Sequence, residues 1–200
     1  MKRVVFLFFV VLLMLPACTE EDFKTENPVI TLELDNGGEI VIELFPDTAP
    51  NTTKNFVHLV QQRFYDGLNF HRVVPGFVIQ GGCPLGNGTG NPGWFIRGEF
   101  SANGFDNPLE HQRGVVSMAR RGDSYDSAGS QFFIVVEDAP HLDGGYAAFG
   151  RVLEGMTEVE TIVNAEASNQ RPLQPRNIVK ATVNLNKWQP EEPEKTAIVN

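Results

Sequence analysis

The residue types that most often perform catalysis are present in this chain, but their spacing does not match the familiar catalytic centres. The four histidines are His58, His71, His111 and His141, and none pairs at the short spacing that two zinc ligands need. Cys83 has no second cysteine nearby, and no serine lies in the Gly-x-Ser-x-Gly pattern of a nucleophile elbow. The sequence therefore predicts a site that uses neither a metal nor a cofactor.

Residues 81–93 are rich in glycine, but they lack the Gly-Lys-Ser/Thr ending with which a P-loop binds phosphate. We interpret this stretch as a tightly turned surface loop. The net charge of −9 also argues against a nucleic-acid partner, because phosphate contacts need clustered lysines and arginines.

The remaining candidates for a functional site are four short motifs that combine apolar and hydrogen-bonding residues. They occupy residues 70–82 (FHRVVPGFVIQGG), 117–120 (SMAR), 130–134 (SQFFI) and 142–150 (LDGGYAAFG). Nothing in these motifs supplies an obvious nucleophile with a base beside it. We therefore consider chemistry that depends on binding and hydrogen bonding.

The hydrophobic pattern around these motifs predicts one mainly β domain with two helices. Residues 29–34 and 39–44 flank Asp-Asn-Gly-Gly, which predicts a β-hairpin. Residues 48–63, with a proline in the first turn, and residues 156–163 have helical spacing. The other short apolar runs are broken by turn residues and predict strands of a closed or sandwiched antiparallel sheet. They lie at 73–80, 114–119, 131–136, 147–152 and 178–185.

The N-terminus has the pattern of an export signal. Lys2 and Arg3 precede twelve residues without a polar side chain, a run too short to span a bilayer. Residues 15–18 (LPAC) resemble the bacterial lipobox, in which the cysteine is lipidated and becomes the new N-terminus. Cys18 is therefore the predicted lipidation site, and an ordinary cleaved signal is the alternative.

These patterns divide the chain into four parts. We predict a lipoprotein signal peptide at 1–17, a lipidated cysteine with a polar tether at 18–27, a folded domain at 28–187 and a loose polar tail at 188–200. The lipobox predicts a bacterial protein that is anchored in the cell envelope by Cys18. The domain would face away from the cytoplasm, in the periplasm or at the cell surface.

The four motifs, in their order and spacing, resemble those of the cyclophilin family. Residues 87–90 and 99–100 add to the resemblance, which covers about residues 29–185. It implies a closed eight-stranded antiparallel β-barrel capped by two α-helices, with the site on the outside of the barrel. It also implies peptidyl-prolyl cis–trans isomerase activity on X–Pro bonds, with proline-containing segments of unfolded or exported proteins as partners.

The resemblance also implies a role for individual residues. Arg72, Gln80 and Phe77 are the predicted catalytic residues, with Arg72 donating a hydrogen bond to the proline nitrogen as the amide twists. Gln80 would bind the substrate backbone and help to hold Arg72. The predicted substrate-binding residues form an apolar cup around the proline ring and a groove for the residues before it. They are Val78, Ala119, Arg120, Gln131, Phe133, Leu142, Tyr146 and His141.

Four of these positions depart from the family pattern. His141 stands where many relatives have a tryptophan that is associated with tight cyclosporin binding, so weak cyclosporin binding is expected. Tyr146 replaces a frequent histidine, Arg120 a frequent asparagine and Val78 a frequent methionine. These changes leave a cup and a groove but can shift the preference for peptides.

Two other functions fit the same residues. The groove could bind proline peptides without turning them over, or the barrel could be a structural lipoprotein without a peptide site. Arg72 favours the enzyme, because binding alone would not need a guanidinium beside the proline nitrogen.

Overall fold

The computed structural model describes residues 25–197, which form twelve short strands and two α-helices. The predicted signal peptide, Cys18 and most of the predicted tether lie outside the described residues. The helices are α1, Pro50–Gln61, and α2, Met156–Val163. The strands are β1 Val29–Leu34, β2 Glu39–Leu44, β3 Arg72–Val74, β4 Val78–Gly81, β5 Trp94–Phe95, β6 Val115–Met118, β7 Phe132–Val135, β8 Ala148–Glu154, β9 Ala167–Ser168, β10 Arg171–Pro172, β11 Ile178–Asn184 and β12 Thr196–Ala197. Neither helix is long and apolar enough to cross a bilayer.

Eight of the strands form one antiparallel sheet in the order β11-β1-β2-β8-β6-β7-β4-β3, which curls into a half-barrel. The predicted hairpin is its β1–β2 pair, in which Ile30 lies opposite Ile42. The four remaining strands form two small pairs, β9 with β10 and β5 with β12. The predicted mainly β architecture with two helices is confirmed.

The prediction of a closed barrel is wrong, because the sheet is open between its edge strands β3 and β11. β3 ends where residues 75–77 turn the chain, and its free edge faces the turn between β9 and β10, whose Gln170 carbonyl accepts from the Val73 N–H at 2.8 Å. The backbone before β3 partly bridges the gap. Asn69 and Asn177 form an isolated bridge, and the Gly67 N–H donates to the carbonyl of Ile178 at 2.7 Å.

An aromatic core lies between the sheet and the two helices. Phe56 of α1 contacts the rings of Tyr65, Phe132 and Phe149, with centroids 4.9, 5.3 and 5.1 Å away. Tilted and edge-on aromatic pairs of this kind add to the stabilisation from burial alone. Five of the fifteen phenylalanines in the chain are buried in this core, namely Phe56, Phe70, Phe100, Phe132 and Phe149.

Residues 189–197, from the predicted loose tail, lie along α1. The side-chain amide of Asn51 donates to the Glu194 carbonyl at 3.0 Å and accepts from the Glu194 N–H at 2.8 Å. Lys195 lies over the ring of Trp94, 4.3 Å from its centroid, and the next residues pair with β5 as β12. Polar backbone contacts hold this segment, which is why its composition did not reveal that it docks.

We expect Asn51→Ala to raise the rate of trypsin cleavage after Lys195 about fivefold. Loss of the two side-chain hydrogen bonds should weaken docking of the tail by about 1 kcal/mol. Mass spectrometry of timed digests measures the rate, and Asn36→Ala, in the turn between β1 and β2, is the matched control. The same cleavage rate in all three proteins would show that Asn51 does not hold the tail.

Candidate active site

A second apolar cluster lies on the outer face of the sheet. All four residues of β7 are buried, but they alternate between faces: Phe132 and Ile134 join the main core, and Phe133 and Val135 point the other way. The outer cluster, as we call it, consists of Val78, Val115, Phe133, Val135, Ala139, Leu142 and Ala148. Phe77, Ala119 and Tyr146 are partly buried against it. An apolar cup is therefore built outside the barrel.

Aromatic rings define the floor and the rim of this cup. Phe133, only 5% exposed, packs edge-on against Tyr146 with centroids 5.7 Å apart. Phe77 stacks on the exposed ring of His141 at 5.2 Å. Phe133 therefore forms the floor, while Tyr146 and Phe77 form two sides.

A row of polar side chains borders the cup. Arg72 Nη1 lies 3.4 Å from Gln80 Oε1, and Gln80 Nε2 donates to Gln131 Oε1 at 3.0 Å. Gln131 Nε2 in turn donates to the carbonyls of Gly88 and Gly90 at 2.9 and 2.8 Å. The row therefore connects Arg72 to the glycine-rich loop through two amide side chains.

Strand register places this row beside the cup. Arg72 of β3 lies opposite Gln80 of β4, and Gln80 lies opposite Phe133 of β7. Residues directly opposite each other in an antiparallel pair project from the same face. The guanidinium, the amide and the aromatic floor are thus three neighbours in one line across three strands.

Gln170 is a contact of Arg72 that the sequence did not reveal. Its Oε1 accepts from Arg72 Nε at 2.8 Å, which is the shorter of the two side-chain contacts of Arg72. Its carbonyl also accepts from the Val73 N–H at 2.8 Å. Asn169 and Gln170 both have positive φ in the turn between β9 and β10. Asn-Gln is a weak sequence signal for such a turn, so the sequence alone does not predict the contact between Gln170 and Arg72.

The glycine-rich loop is organised around the buried thiol of Cys83. Its Sγ accepts from the N–H groups of Gly88 and Gly90 at 3.2 and 3.3 Å. Burial alone would raise the pKa of this thiol, but the backbone N–H groups outweigh it and lower the pKa. The sequence alone does not reveal this contact, because it shows only that Cys83 has no second cysteine nearby.

A buried polar array lies beside the floor of the cup, on the same face of the sheet, since Ser117 of β6 is directly opposite Phe133. His111 Nδ1 lies 2.8 Å from Asp143 Oδ1, and His111 Nε2 lies 3.0 Å from Ser117 Oγ. Burial lowers the pKa of His111, although Asp143 opposes the shift. Ser117 is fully buried, so its hydroxyl cannot meet a substrate. The imidazole stacks on Phe133 at 5.9 Å, and the array therefore helps to hold the floor of the cup in place.

Arg120 leaves β6 at the other end of the groove. Its guanidinium lies 4.6 Å from the centroid of Tyr146, and its Nε donates to the carbonyl of Gly145 at 2.9 Å. Ala119, the residue before it, donates its N–H to the carbonyl of Gln131 at 2.9 Å. Arg120 therefore lies beside the cup, and it lines the same cavity as residues 88–91 of the glycine-rich loop.

All the predicted site residues in the described part of the chain lie in or beside this groove. They are Arg72, Phe77, Val78, Gln80, Ala119, Arg120, Gln131, Phe133, His141, Leu142 and Tyr146. The structure brings these residues together, and their individual roles stay predictions. Cys18 lies outside the described residues.

His71, next to Arg72 in sequence, is a buried histidine without hydrogen bonds in the described structure. It is 7% exposed, and neither ring nitrogen has a partner among residues 25–197. Burial, followed by the positive charges of Arg72 and Arg171, lowers the pKa of His71 from 6.5 to about 4, although the nearby polar groups of Asn69 and Gln131 oppose the shift. The folded protein therefore holds this imidazole neutral at pH 7.

We expect the free energy of unfolding to fall as the pH is lowered from 6.5 towards 4. The unfolded chain protonates His71 near pH 6.5, whereas the folded chain does so only near pH 4, so protons favour the unfolded state in this window. The full shift corresponds to about 3 kcal/mol. Denaturant titrations at pH 7 and pH 4 measure the loss. His71→Leu should lose about 3 kcal/mol less, and equal losses would contradict the assignment.

Comparisons with known proteins agree with this geometry. A family model described as "Cyclophilin type peptidyl-prolyl cis-trans isomerase/CLD" matches residues 29–183. The chain is 47% identical over 137 residues to peptidyl-prolyl cis-trans isomerase B of Bacillus subtilis, which covers 68% of this chain and 92% of that protein. It is 49% identical over 129 residues to a peptidyl-prolyl cis-trans isomerase of Helicobacter pylori, which covers 64% and 76% respectively.

Solved structures of a cyclophilin-type isomerase from Cryptosporidium parvum are also similar. One has a TM-score of 0.72 at 29% identity and covers 79% of this chain and 98% of that chain. Another, obtained in the presence of the dipeptide Ala-Pro, has a TM-score of 0.71 at 29% identity and covers 78% and 98%.

Proposed function

The chain belongs to the family of cyclophilin-type peptidyl-prolyl cis–trans isomerases, and we propose that its outer groove accelerates cis–trans rotation about X–Pro bonds. Arg72 is the main catalytic residue of this proposal. The observation that carries the proposal is the line of Arg72, Gln80 and Phe133 across three neighbouring strands. A hydrogen-bond donor and an apolar floor lie side by side there, as a proline amide requires.

The chemistry needs no nucleophile and no general base. Amide resonance sets a barrier of about 18–20 kcal/mol, and rotation takes tens to hundreds of seconds at 25 °C. An enzyme lowers this barrier if it binds the twisted amide more tightly than either planar form. As the bond twists, the proline nitrogen becomes pyramidal and gains a lone pair that can accept a hydrogen bond.

Arg72 suits the role of the donor in this twisted state. An arginine guanidinium carries a permanent positive charge and presents several fixed donors. Gln170 and Gln80 contact it from two sides, which limits its motion before the substrate arrives. The proline ring would fill the outer cluster above Phe133. The cup would exclude water there and strengthen the electrostatic effect of the guanidinium.

The substrates we propose are proline-containing segments of unfolded or exported chains. A similar isomerase has been solved in the presence of Ala-Pro, which is consistent with a short apolar residue followed by proline. The test is exchange NMR on a short Ala-Pro peptide with the purified protein. Faster cis–trans exchange is the expected result. Binding without faster exchange would favour a peptide-binding module, and neither binding nor exchange would favour a structural barrel.

Weak cyclosporin binding is part of the same proposal. His141 presents an imidazole, which is smaller than the indole that many relatives carry there, and this imidazole is already stacked on Phe77. Less apolar surface is then available to a large apolar ligand. Titration of the isomerase activity with cyclosporin is the measurement, and tight stoichiometric inhibition would contradict the proposal.

We also propose that Cys18 carries the lipid anchor in a bacterial cell envelope. The support is the LPAC sequence after an apolar run. Thr25 and Asn27, at the end of the predicted tether, hydrogen-bond to Glu43 at 2.6 and 3.1 Å. Residues 18–24 can span at most about 25 Å, so the domain would stay close to the membrane surface. Mass spectrometry of the mature N-terminus tests this, and Cys18→Ser should abolish the acyl groups.

A further inference from the structure

A cavity of about 470 Å³ adjoins the apolar cup on the side of the glycine-rich loop. Polar donors and small residues line most of it, including Gln80, Thr89, Asn91 and Gln131. Two arginines, Arg120 and Arg121, also line the cavity, whereas no aspartate or glutamate does. In a chain with a net charge of −9, this local excess of positive charge is unusual.

The two arginines differ in how their charges are balanced. Arg121 is exposed and pairs with Asp123 through two contacts, Nε to Oδ1 at 2.9 Å and Nη2 to Oδ2 at 3.0 Å. Arg120 forms no ion pair within residues 25–197, since its guanidinium donates only to the carbonyls of Gly145 and Arg121, each at 2.9 Å. The uncompensated charge of the cavity wall is therefore that of Arg120.

Aromatic rings fix the position of this charge. The guanidinium carbon of Arg120 lies 4.6 Å from the ring centroid of Tyr146, 4.9 Å from that of Tyr125 and 5.5 Å from that of Phe100. Cation–π contacts of this kind hold a guanidinium without neutralising it. The side chain is therefore ordered before any ligand binds, which lowers the entropic cost of an ion pair with a substrate.

The separation between the cup and Arg120 matches the spacing of neighbouring residues in an extended peptide. Tyr146 lies between the floor of the cup, Phe133, and Arg120. An extended peptide advances about 3.3–3.6 Å per residue. A side chain one or two positions before the proline would therefore reach Arg120, while the proline ring remains above Phe133.

We propose that Arg120 is a specificity-determining residue that favours substrates with a carboxylate side chain one or two positions before the proline. This inference rests on the proposed function, because it needs the proline to occupy the cup. A carboxylate there would accept charge-assisted hydrogen bonds from the free donors of Arg120. It would also meet the neutral donors of the cavity wall and no opposing carboxylate.

The test compares peptides that carry Glu, Gln or Lys at each of the two positions in turn. Exchange NMR gives kcat/KM, and titration in the same samples gives the affinity. At one position, Glu should exceed Gln by about 5- to 10-fold, and Lys should be the poorest. The advantage of Glu should shrink at high salt, because salt screens a partly exposed ion pair.

Variants separate charge from packing. Arg120→Gln should remove the advantage of Glu, and Arg120→Lys should keep part of it. The matched control Arg113→Gln, at an exposed arginine that pairs with Glu160 and does not line the cavity, should keep all of it. Equal slowing of every peptide by Arg120→Gln, with the advantage of Glu intact, would overturn the inference and leave Arg120 only a support for Tyr146.

The peptide series also separates this inference from the proposed function. Equal acceleration of the Glu, Gln and Lys peptides would overturn the inference and leave the isomerase proposal standing. Tighter binding of the Glu peptide without any acceleration would support the inference about Arg120 and overturn the catalytic proposal.

Discussion

Replacement of Arg72 by alanine is expected to lower kcat/KM for an X–Pro peptide by about 10²–10³-fold, the effect of removing one donor aimed at a transition state. The proline nitrogen accepts a hydrogen bond only when the amide is twisted. The lost interaction therefore belongs to the transition state, and kcat should fall while KM changes little.

The fold should tolerate this substitution. Arg72 is half-buried on the edge strand β3, and within residues 25–197 its side-chain hydrogen bonds reach only Gln170 and Gln80. Both of these side chains can turn to water once the guanidinium is gone. The change in the free energy of unfolding should therefore stay below about 1 kcal/mol.

Two further variants sharpen this experiment. Arg72→Lys keeps the charge but loses the fixed fork of donors, so it should retain only a small part of the activity. Arg113→Ala removes an exposed arginine that pairs with Glu160 of α2, and it should leave kcat/KM unchanged. If Arg72→Ala kept most of the activity while binding peptide normally, another group would have to stabilise the twisted amide.

The regular parts of the fold could be predicted from the sequence because their signals are local. The turn Asp-Asn-Gly-Gly separates two apolar runs, and the strands observed there, Val29–Leu34 and Glu39–Leu44, have the predicted bounds. The first helix is shorter than its pattern over 48–63 suggests, since it begins at Pro50 and ends at Gln61. Helix ends depend on contacts with the rest of the chain, which spacing alone does not contain.

Barrel closure could not be predicted in this way. It depends on which part of the chain lies against each edge strand, and the distant turn at Gln170, not β11, hydrogen-bonds to the free edge of β3. The last strand shows a related effect. Strict alternation along residues 178–185 would put Val179 on the same face as Ala181, but a bulge opposite Glu33 and Leu34 leaves Val179 exposed and buries Ile178. Alternation fails at a bulge, because one extra residue reverses the faces.

The part of the site that belongs to the short sequence motifs could be predicted. Arg72, Gln80 and Phe133 belong to such motifs, and the structure places them in one line. Gln170 does not belong to any of them, and it reaches Arg72 through a turn that follows nearly a hundred residues later. His111 was noticed only as a histidine without a metal partner, because its contacts with Asp143 and Ser117 exist only in the folded chain.

Substitutions at two neighbouring phenylalanines should separate effects on stability from effects on activity. Phe132 is fully buried and packs against Phe56, Tyr65 and Phe70 in the main core. Phe132→Ala is expected to lower the free energy of unfolding by about 3–5 kcal/mol, as for other large core truncations. The activity of each molecule that remains folded should be nearly normal.

Phe133→Ala should have the opposite profile. Its ring forms the floor of the cup, so truncation should lower kcat/KM by about 10²-fold through lost burial of the proline ring. The cost in stability should be the smaller of the two, because the vacated space opens towards the groove and water can enter it. Urea titrations and exchange NMR on the two variants give both quantities.

The pair is informative because adjacent positions share the same strand, the same residue type and nearly the same burial. What differs is the face of β7 from which the side chain projects. If Phe133→Ala destabilised the protein as much as Phe132→Ala and left the activity per folded molecule intact, the outer cluster would be a second core. If the two variants behave as expected, the alternate side chains of β7 have different roles. Those that face the main core stabilise the fold, and those that face outwards bind the substrate.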